Sequence, residues 1–266
     1  MKRYLRYAAA LFMAAMMLLP SVTAQARNYA LAKYDGKRWK MIAQEELNTD
    51  TDRLIYVRYT GGTKAKVQMY KKVKAASESS EAESKAAAET AADPGSSDVV
   101  SSVGAARKTV KYNWKKIFST NGFVGRNGIN KVRQGDVKTP TGTFNITMAF
   151  GIKKSPKTAG IKYTKLNKYH YWSGEKATYN RFIDVRKIGR KSVAGEHLIT
   201  YVQFYNYALA MDFDKECVYR GGSAIFVHCT KPGRPYTGGC VAISQKKMKK
   251  MVRNTTKHTK ICIYKN

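Results

Sequence analysis

Apolar and polar positions alternate along much of this chain, and that period of two predicts short strands separated by turn residues. Residues 53–59 (Arg-Leu-Ile-Tyr-Val-Arg-Tyr) and 65–70 (Ala-Lys-Val-Gln-Met-Tyr) read as two strands joined through Gly61-Gly62. Further strand patterns fall at 109–118, 143–148, 198–204, 207–212, 224–228 and 260–264. Upstream, two alternating runs flank Asp35-Gly36, a pair suited to a tight hairpin turn, so residues 27–52 read as a small N-terminal β-hairpin extension. One segment has the helical period instead. Over 244–255, Ser244 stands where a cap belongs, and Met248, Met251 and Val252 share one face. No internal repeat is visible. The pattern predicts a mainly β domain, a sandwich or open barrel with a few short helices.

Two stretches break the alternation. Residues 1–26 begin Met-Lys-Arg-Tyr-Leu-Arg, continue with an apolar run over 7–19 and end in Ala24-Gln25-Ala26. A basic start, a short apolar stretch and a small-x-small site make a secretory signal peptide. The apolar run is shorter than the roughly 20 residues a membrane-spanning helix needs, so no stable membrane insertion is expected after cleavage. Residues 75–107 are rich in Ala, Ser and Glu, lack aromatics and carry a local acidic excess. Such a composition buries too little apolar surface to offset its ordering entropy, which predicts a disordered insert interrupting the domain at 53–266.

Composition sharpens the choice of partner. With 49 Lys and Arg against 18 Asp and Glu, the net charge is +31. A field of that sign gathers anionic polymers. For an exported, extracellular or wall-associated protein, anionic wall polymers fit better than nucleic acid, and no nucleic-acid recognition motif appears among the basic residues. A solvated basic surface is the alternative reading. The four cysteines (Cys217, Cys229, Cys240 and Cys262) lack metal-ligand spacing and are too few for a disulfide scaffold.

Candidate chemistry lies in one segment. An apolar strand ends in His228, a Pro/Gly-rich loop reverses the chain, and Tyr236-Thr237-Gly238-Gly239 precedes Cys240. A thiol nucleophile needs an imidazole to take its proton, and glycines before it leave backbone N–H groups open to an oxyanion. His197 is a second histidine for the same site, with a structural role at a strand end as its alternative. Alternation turns Cys229 away from His228, toward burial or a disulfide. Cys217 and Cys262 read as core cysteines that could pair, and Arg133 and Asp136 as turn-formers. Tyr169, His170, Tyr171 and Trp172 form an aromatic cluster that covers core or lines a groove.

The segment from His228 to Cys240 resembles the active-site signature of the L,D-transpeptidase catalytic domain (the YkuD family): a strand-borne His, a loop, Ser or Thr, a variable residue, Gly and Cys. Upstream, Arg133-Gln-Gly135-Asp136-Val-Lys-Thr139-Pro140-Thr-Gly142-Thr143-Phe144 is similar to the family's R-x-G-D-x-x-T-P-x-G-x-F stretch. The likeness runs from about Arg53 to the C-terminus. It implies that Cys240 attacks the carbonyl of the third residue of a peptidoglycan stem peptide and expels the terminal D-alanine, with His228 as base and then acid. A side-chain amine of a second stem would resolve the thioester. Gly239 and Cys240 would donate to the oxyanion, Thr237 would shape the turn, and no metal or organic cofactor is implied; Thr237, Gly238, Tyr236 and His197 are the candidate substrate contacts. Members often carry His or Lys in place of Gly238 and Arg in place of Ala242. Hydrolysis of the same thioester, as an L,D-carboxypeptidase, and a non-catalytic wall-binding role are the competing functions.

Overall fold

The computed structural model describes residues 50–74 and 112–265. The signal peptide, the N-terminal hairpin and the Ala/Ser/Glu-rich segment expected from the sequence lie outside the described residues.

The framework begins with β1 (Arg53–Gly61), β2 (Lys64–Lys74) and β3 (Tyr112–Phe123). β1 and β2 are antiparallel and turn at Gly61-Gly62. β2 and β3 are antiparallel from Lys64↔Phe123 to Lys74↔Tyr112, so the chain on either side of residues 75–111 meets in one ladder. Then come β4 (Gly142–Gly151), β5 (Tyr163–Lys165), β6 (His170–Ser173), β7 (Phe182–Asp184), β8 (Gly195–His197), β9 (Ala208–Met211), β10 (Phe226–Cys229), β11 (Val241–Ile243), helix α1 (Gln245–Asn254) and β12 (Thr259–Lys265).

Strand order in the main sheet is β12-β1-β2-β3-β11-β10-β9-β4-β5, and β12 also pairs with β4. That last pairing, Lys260↔Asn145 through Ile263↔Gly142, closes the sheet on itself. The expected choice between sandwich and open barrel therefore resolves to a closed ring with β5 outside it. Closure depends on β4, whose first half pairs with β12 and whose second half pairs with β9. A bulge between Ile146 and Met148 opens the β9-paired half just past the point where the β12 pairing ends, and bulges bend strands in this way.

Register explains the interior. Ile261, Ile55, Met69 and Phe118 are direct neighbours across four strands, and Ile263, Val57 and Val67 form the next row. All seven are buried in the main apolar cluster. α1 packs Met248, Met251 and Val252 into the same cluster, each fully buried, as its period predicts. Ser244 sits at the N-cap position, but its side chain makes no capping bond; its carbonyl accepts from Met248 N–H at 2.8 Å.

The segment 198–204, expected as a strand, is irregular. Leu198–Thr200 and Phe204–Asn206 are single 3₁₀ turns, with Gln203 between them at φ 73°. Apolar side chains alone could not distinguish the two states, because Leu198 and Tyr205 are buried from a turn as fully as from a strand. A separate three-stranded sheet, β7-β6-β8, flanks this region. Its Trp172 sits beneath Phe226 of β10, ring centroids 4.8 Å apart. Tyr171 and Trp172 are thus largely core residues. Among the described residues, no helix is long and apolar enough to cross a membrane.

Candidate active site

β10 and β11 are parallel neighbours, with Val227 beside Val241 and His228 beside Ala242. A strand sends alternate side chains to opposite faces. Val227, Cys229, Val241 and Ile243 accordingly enter the barrel core, while Phe226 and Cys240 belong to a second apolar cluster outside it. His228 and Cys240 open onto one cavity of about 530 Å³. Thr237, Gly238, Gly239, Tyr236, Tyr201, Phe204, Tyr205 and Glu196 also line it.

The turn before Cys240 is fixed from several sides. Thr237 donates its hydroxyl to the Cys240 carbonyl at 2.6 Å and accepts from Gly239 N–H at 3.1 Å. Thr139, fully buried, donates to the same carbonyl at 3.2 Å and accepts from Gly125 N–H at 2.8 Å. Gly239 adopts φ 147°, and a Cβ there would lie 2.9 Å from the Lys138 carbonyl oxygen. Both the backbone angle and the space demand glycine.

The oxyanion donors differ from expectation at one position. Gly239 N–H is engaged by Thr237, whereas Cys240 N–H and Gly238 N–H have no acceptor among the described residues. The sequence could not show that the Thr237 hydroxyl reaches back two residues.

The imidazole is set as a base. His228 Nδ1 lies 2.8 Å from the Cys229 carbonyl. A carbonyl only accepts, so Nδ1 carries the hydrogen and Nε2 keeps its lone pair. Phe204 and Tyr205 present ring edges to His228 at 5.7 Å each. Burial among them pulls the imidazole pKa down to about 4, against the smaller opposing effect of the Cys229 carbonyl. The Cys240 sulfur accepts from Phe226 N–H at 3.3 Å and donates to the Ala224 carbonyl at 3.2 Å. Burial, helped by the charge of Glu196, pushes the thiol up to about 12, although Phe226 N–H and Lys131 work the other way. At neutral pH the pair is thiol and neutral imidazole, with the proton still on sulfur. Such a pair suits proton removal during attack rather than a standing thiolate.

Of three further candidates, one lies elsewhere and two line the cavity. His197 does not line the cavity. Its ring stacks on Tyr171 at 4.3 Å and bonds the Lys168 carbonyl at 2.8 Å, because on β8 alternation sends Glu196 to the cavity and His197 away. Tyr236 is at the rim, with the Arg126 guanidinium 4.1 Å over its ring. Gly238 is exposed, with nothing within 4 Å of where a Cβ would stand. The four cysteines are free thiols, so Cys217 and Cys262 do not pair. Cys229 donates to the Tyr207 carbonyl at 3.5 Å inside the core.

Two groups do more than the sequence reading gave them, one a turn-former it named and the other a residue it passed over. Asp136 is a clamp: it accepts from the N–H groups of Val132, Arg133 and Lys138 and from Lys131 Nζ at 2.7 Å. Burial alone would raise its pKa, but those bonds outweigh burial and hold it at about 2. The conjunction of Gly135-Asp136 with Thr139-Pro140 was the available signal. Glu196 is the other, and nothing marked it beyond adjacency to His197.

The sequence matches the model of the L,D-transpeptidase catalytic domain (YkuD) over residues 98–263. The chain belongs to the YkuD family. Strands β1 and β2 precede the matched YkuD region, yet they complete its ring. No curated protein matches the chain. Membership supports an L,D-transpeptidase-type, peptidoglycan-modifying function. Among the described residues, no three His, Cys, Asp or Glu side chains come together as metal ligands would.

Proposed function

We propose that this protein is an exported L,D-transpeptidase that acylates Cys240 with a peptidoglycan stem peptide and passes the acyl group to an amine. The observation that carries this reading is that His228, whose Nε2 keeps its lone pair, and the Cys240 thiol open onto the same cavity from neighbouring strands.

As the sulfur attacks the carbonyl carbon of the third stem residue, its proton passes to Nε2. The oxyanion meets the unengaged N–H groups of Cys240 and Gly238, which act strongly because the turn that carries them is held in place before the reaction. Imidazolium then protonates the departing D-alanine amine, and the C–N bond breaks to leave a thioester. An amine from a second stem attacks the thioester, gives its proton to Nε2, and the departing sulfur recovers it. Water in place of the amine would give a carboxypeptidase, and the space at Gly238 is open on the side where either would approach.

The test is incubation of the mature protein with disaccharide-tetrapeptide, followed by intact mass and product analysis. A single acyl adduct on Cys240, lost in Cys240→Ala, together with cross-linked dimer is the expected result. Tripeptide without dimer selects hydrolysis. No adduct and no product from folded protein would overturn both. Export is checked by fractionating cells for the chain lacking residues 1–26.

A further inference from the structure

A carboxylate beside a nucleophilic sulfur needs a reason, since its charge opposes the negative charge that builds up as the thiol gives up its proton and attacks. Glu196 is such a group. It lines the Cys240 cavity from β8, and its nearness raises the thiol pKa.

Nothing among the described residues neutralises it. Its one side-chain hydrogen bond comes from the Tyr205 hydroxyl, which donates to Oε2 at 2.6 Å, and Glu196 forms no ion pair with a described residue. The cavity's cations are otherwise placed. Lys131 Nζ is bound to Asp136 and to the Arg133 carbonyl, while the Arg126 and Arg234 guanidinium groups lie over the Tyr236 ring. Burial raises the Glu196 pKa to about 7 despite the Tyr205 bond, so the cavity wall carries a carboxyl with no cation beside it among the described residues, which a buried charge calls for. Its position is strict. The preceding Gly195 has φ 128°, and a Cβ there would lie 2.3 Å from the Trp172 carbonyl oxygen, so the strand that aims Glu196 depends on a glycine.

We infer that Glu196, oriented by Tyr205, receives a side-chain ammonium of the substrate, making it a specificity residue for diamino acids in the stem. The inference rests on the stem-peptide reading above and extends it. The ammonium can belong to the acyl donor or to the acceptor.

Binding separates this inference from catalysis. Cys240→Ala protein is titrated by calorimetry with the tetrapeptide L-Ala-γ-D-Glu-L-Lys-D-Ala and with the same peptide acetylated on the lysine side chain. A charge-assisted hydrogen bond lost to acetylation should weaken binding about tenfold. With Glu196→Gln added, whose amide oxygen still accepts from Tyr205, acetylation should matter less than about twofold, and Glu196→Asp should restore part of the preference. An equal effect of acetylation with and without Glu196 overturns the inference while leaving the stem-peptide reading intact. No binding of either peptide removes both. In the active protein, slower D-alanine release by Glu196→Gln assigns the ammonium to the donor, and a fall confined to dimer assigns it to the acceptor. No change in either sinks the inference.

Discussion

The two faces of the β10–β11 pair carry cysteines in opposite circumstances. Cys229 and Cys240 are both buried, and burial pushes both thiols up to about 12. Cys229 points into the barrel among Val227, Val241 and Ile243, and its bond is to the Tyr207 carbonyl. Cys240, on the other face, shares a cavity with His228. A shifted pKa therefore does not mark the nucleophile here. What separates the two thiols is access to a ligand-sized space and to an imidazole whose proton is already fixed on the far nitrogen.

The sharpest way to break that contrast is to remove the base. His228→Ala should lower the acylation rate by about 10²–10⁴-fold, measured by stopped-flow adduct formation, while Cys240 remains modifiable by forcing reagents. The pH profile checks the same point. His228 must be neutral to act, so kcat/KM for acylation should hold down to about pH 4 and fall tenfold per unit below it, provided the protein stays folded. The sign for stability is the same. Its folded pKa is depressed, so its contribution is fully present above the unfolded value near 6.5. It is lost as pH falls through that value toward about 4, on the order of 3 kcal/mol in all. Denaturant melts of the parent and His228→Gln at pH 7.5 and pH 4.5 should therefore converge in favour of the variant at the lower pH.

Gly239→Ala comes next. A residue at φ 147° with a carbonyl oxygen 2.9 Å from the new Cβ must displace the turn that holds Thr237 against the Cys240 carbonyl. The expected cost is about 1–3 kcal/mol in thermal or urea melts, with a matching loss of acylation. An active, fully stable Gly239→Ala protein would show that the turn is not the device that presents the sulfur.

Much of this contrast was legible from residues alone, and the gaps have physical reasons. Period two along 224–228 assigns His228 and Cys229 to opposite faces without any structure, and the glycines before Cys240 announce a tight presentation of the thiol. The helix at Met248, Met251 and Val252 was equally plain. Closure of the barrel was not, because it depends on β12 meeting both β1 and β4, a long-range pairing that leaves no composition signal. Glu196 was missed for a simpler reason. A three-residue strand offers too short a pattern to say which of Glu196 and His197 faces the cavity, and chemistry favoured the histidine. The 3₁₀ turns over 198–206 were likewise hidden, since Gln203 gives no hint of positive φ.

Cys229→Ala probes the inner face. Removing one sulfur from a fully buried site should cost about 1–2 kcal/mol of stability by urea melt and leave the acylation rate within about twofold of the parent. If the rate instead collapsed with the fold intact, the two faces would be coupled. The Cys229 carbonyl that holds His228 Nδ1 would then be the place to look, because it is the one bond joining them directly.

Gly238→Ala is the mildest perturbation and separates two neighbouring glycines with opposite duties. Unlike Gly239, Gly238 does not adopt positive φ, and no atom lies within 4 Å of a Cβ built on it. Stability should change by no more than about 0.5 kcal/mol. The methyl group would stand in the mouth of the cavity, where it narrows the route for water and for the incoming amine without touching His228 or the sulfur. Acylation should therefore stay within about twofold, while the ratio of dimer to tripeptide shifts, read by mass on the same reaction. A shift toward dimer would mean that the open position at Gly238 had been admitting water. A large loss of acylation would mean that Gly238 N–H, rather than space, is its contribution, since a bulkier neighbour can tilt a donor aimed at the oxyanion.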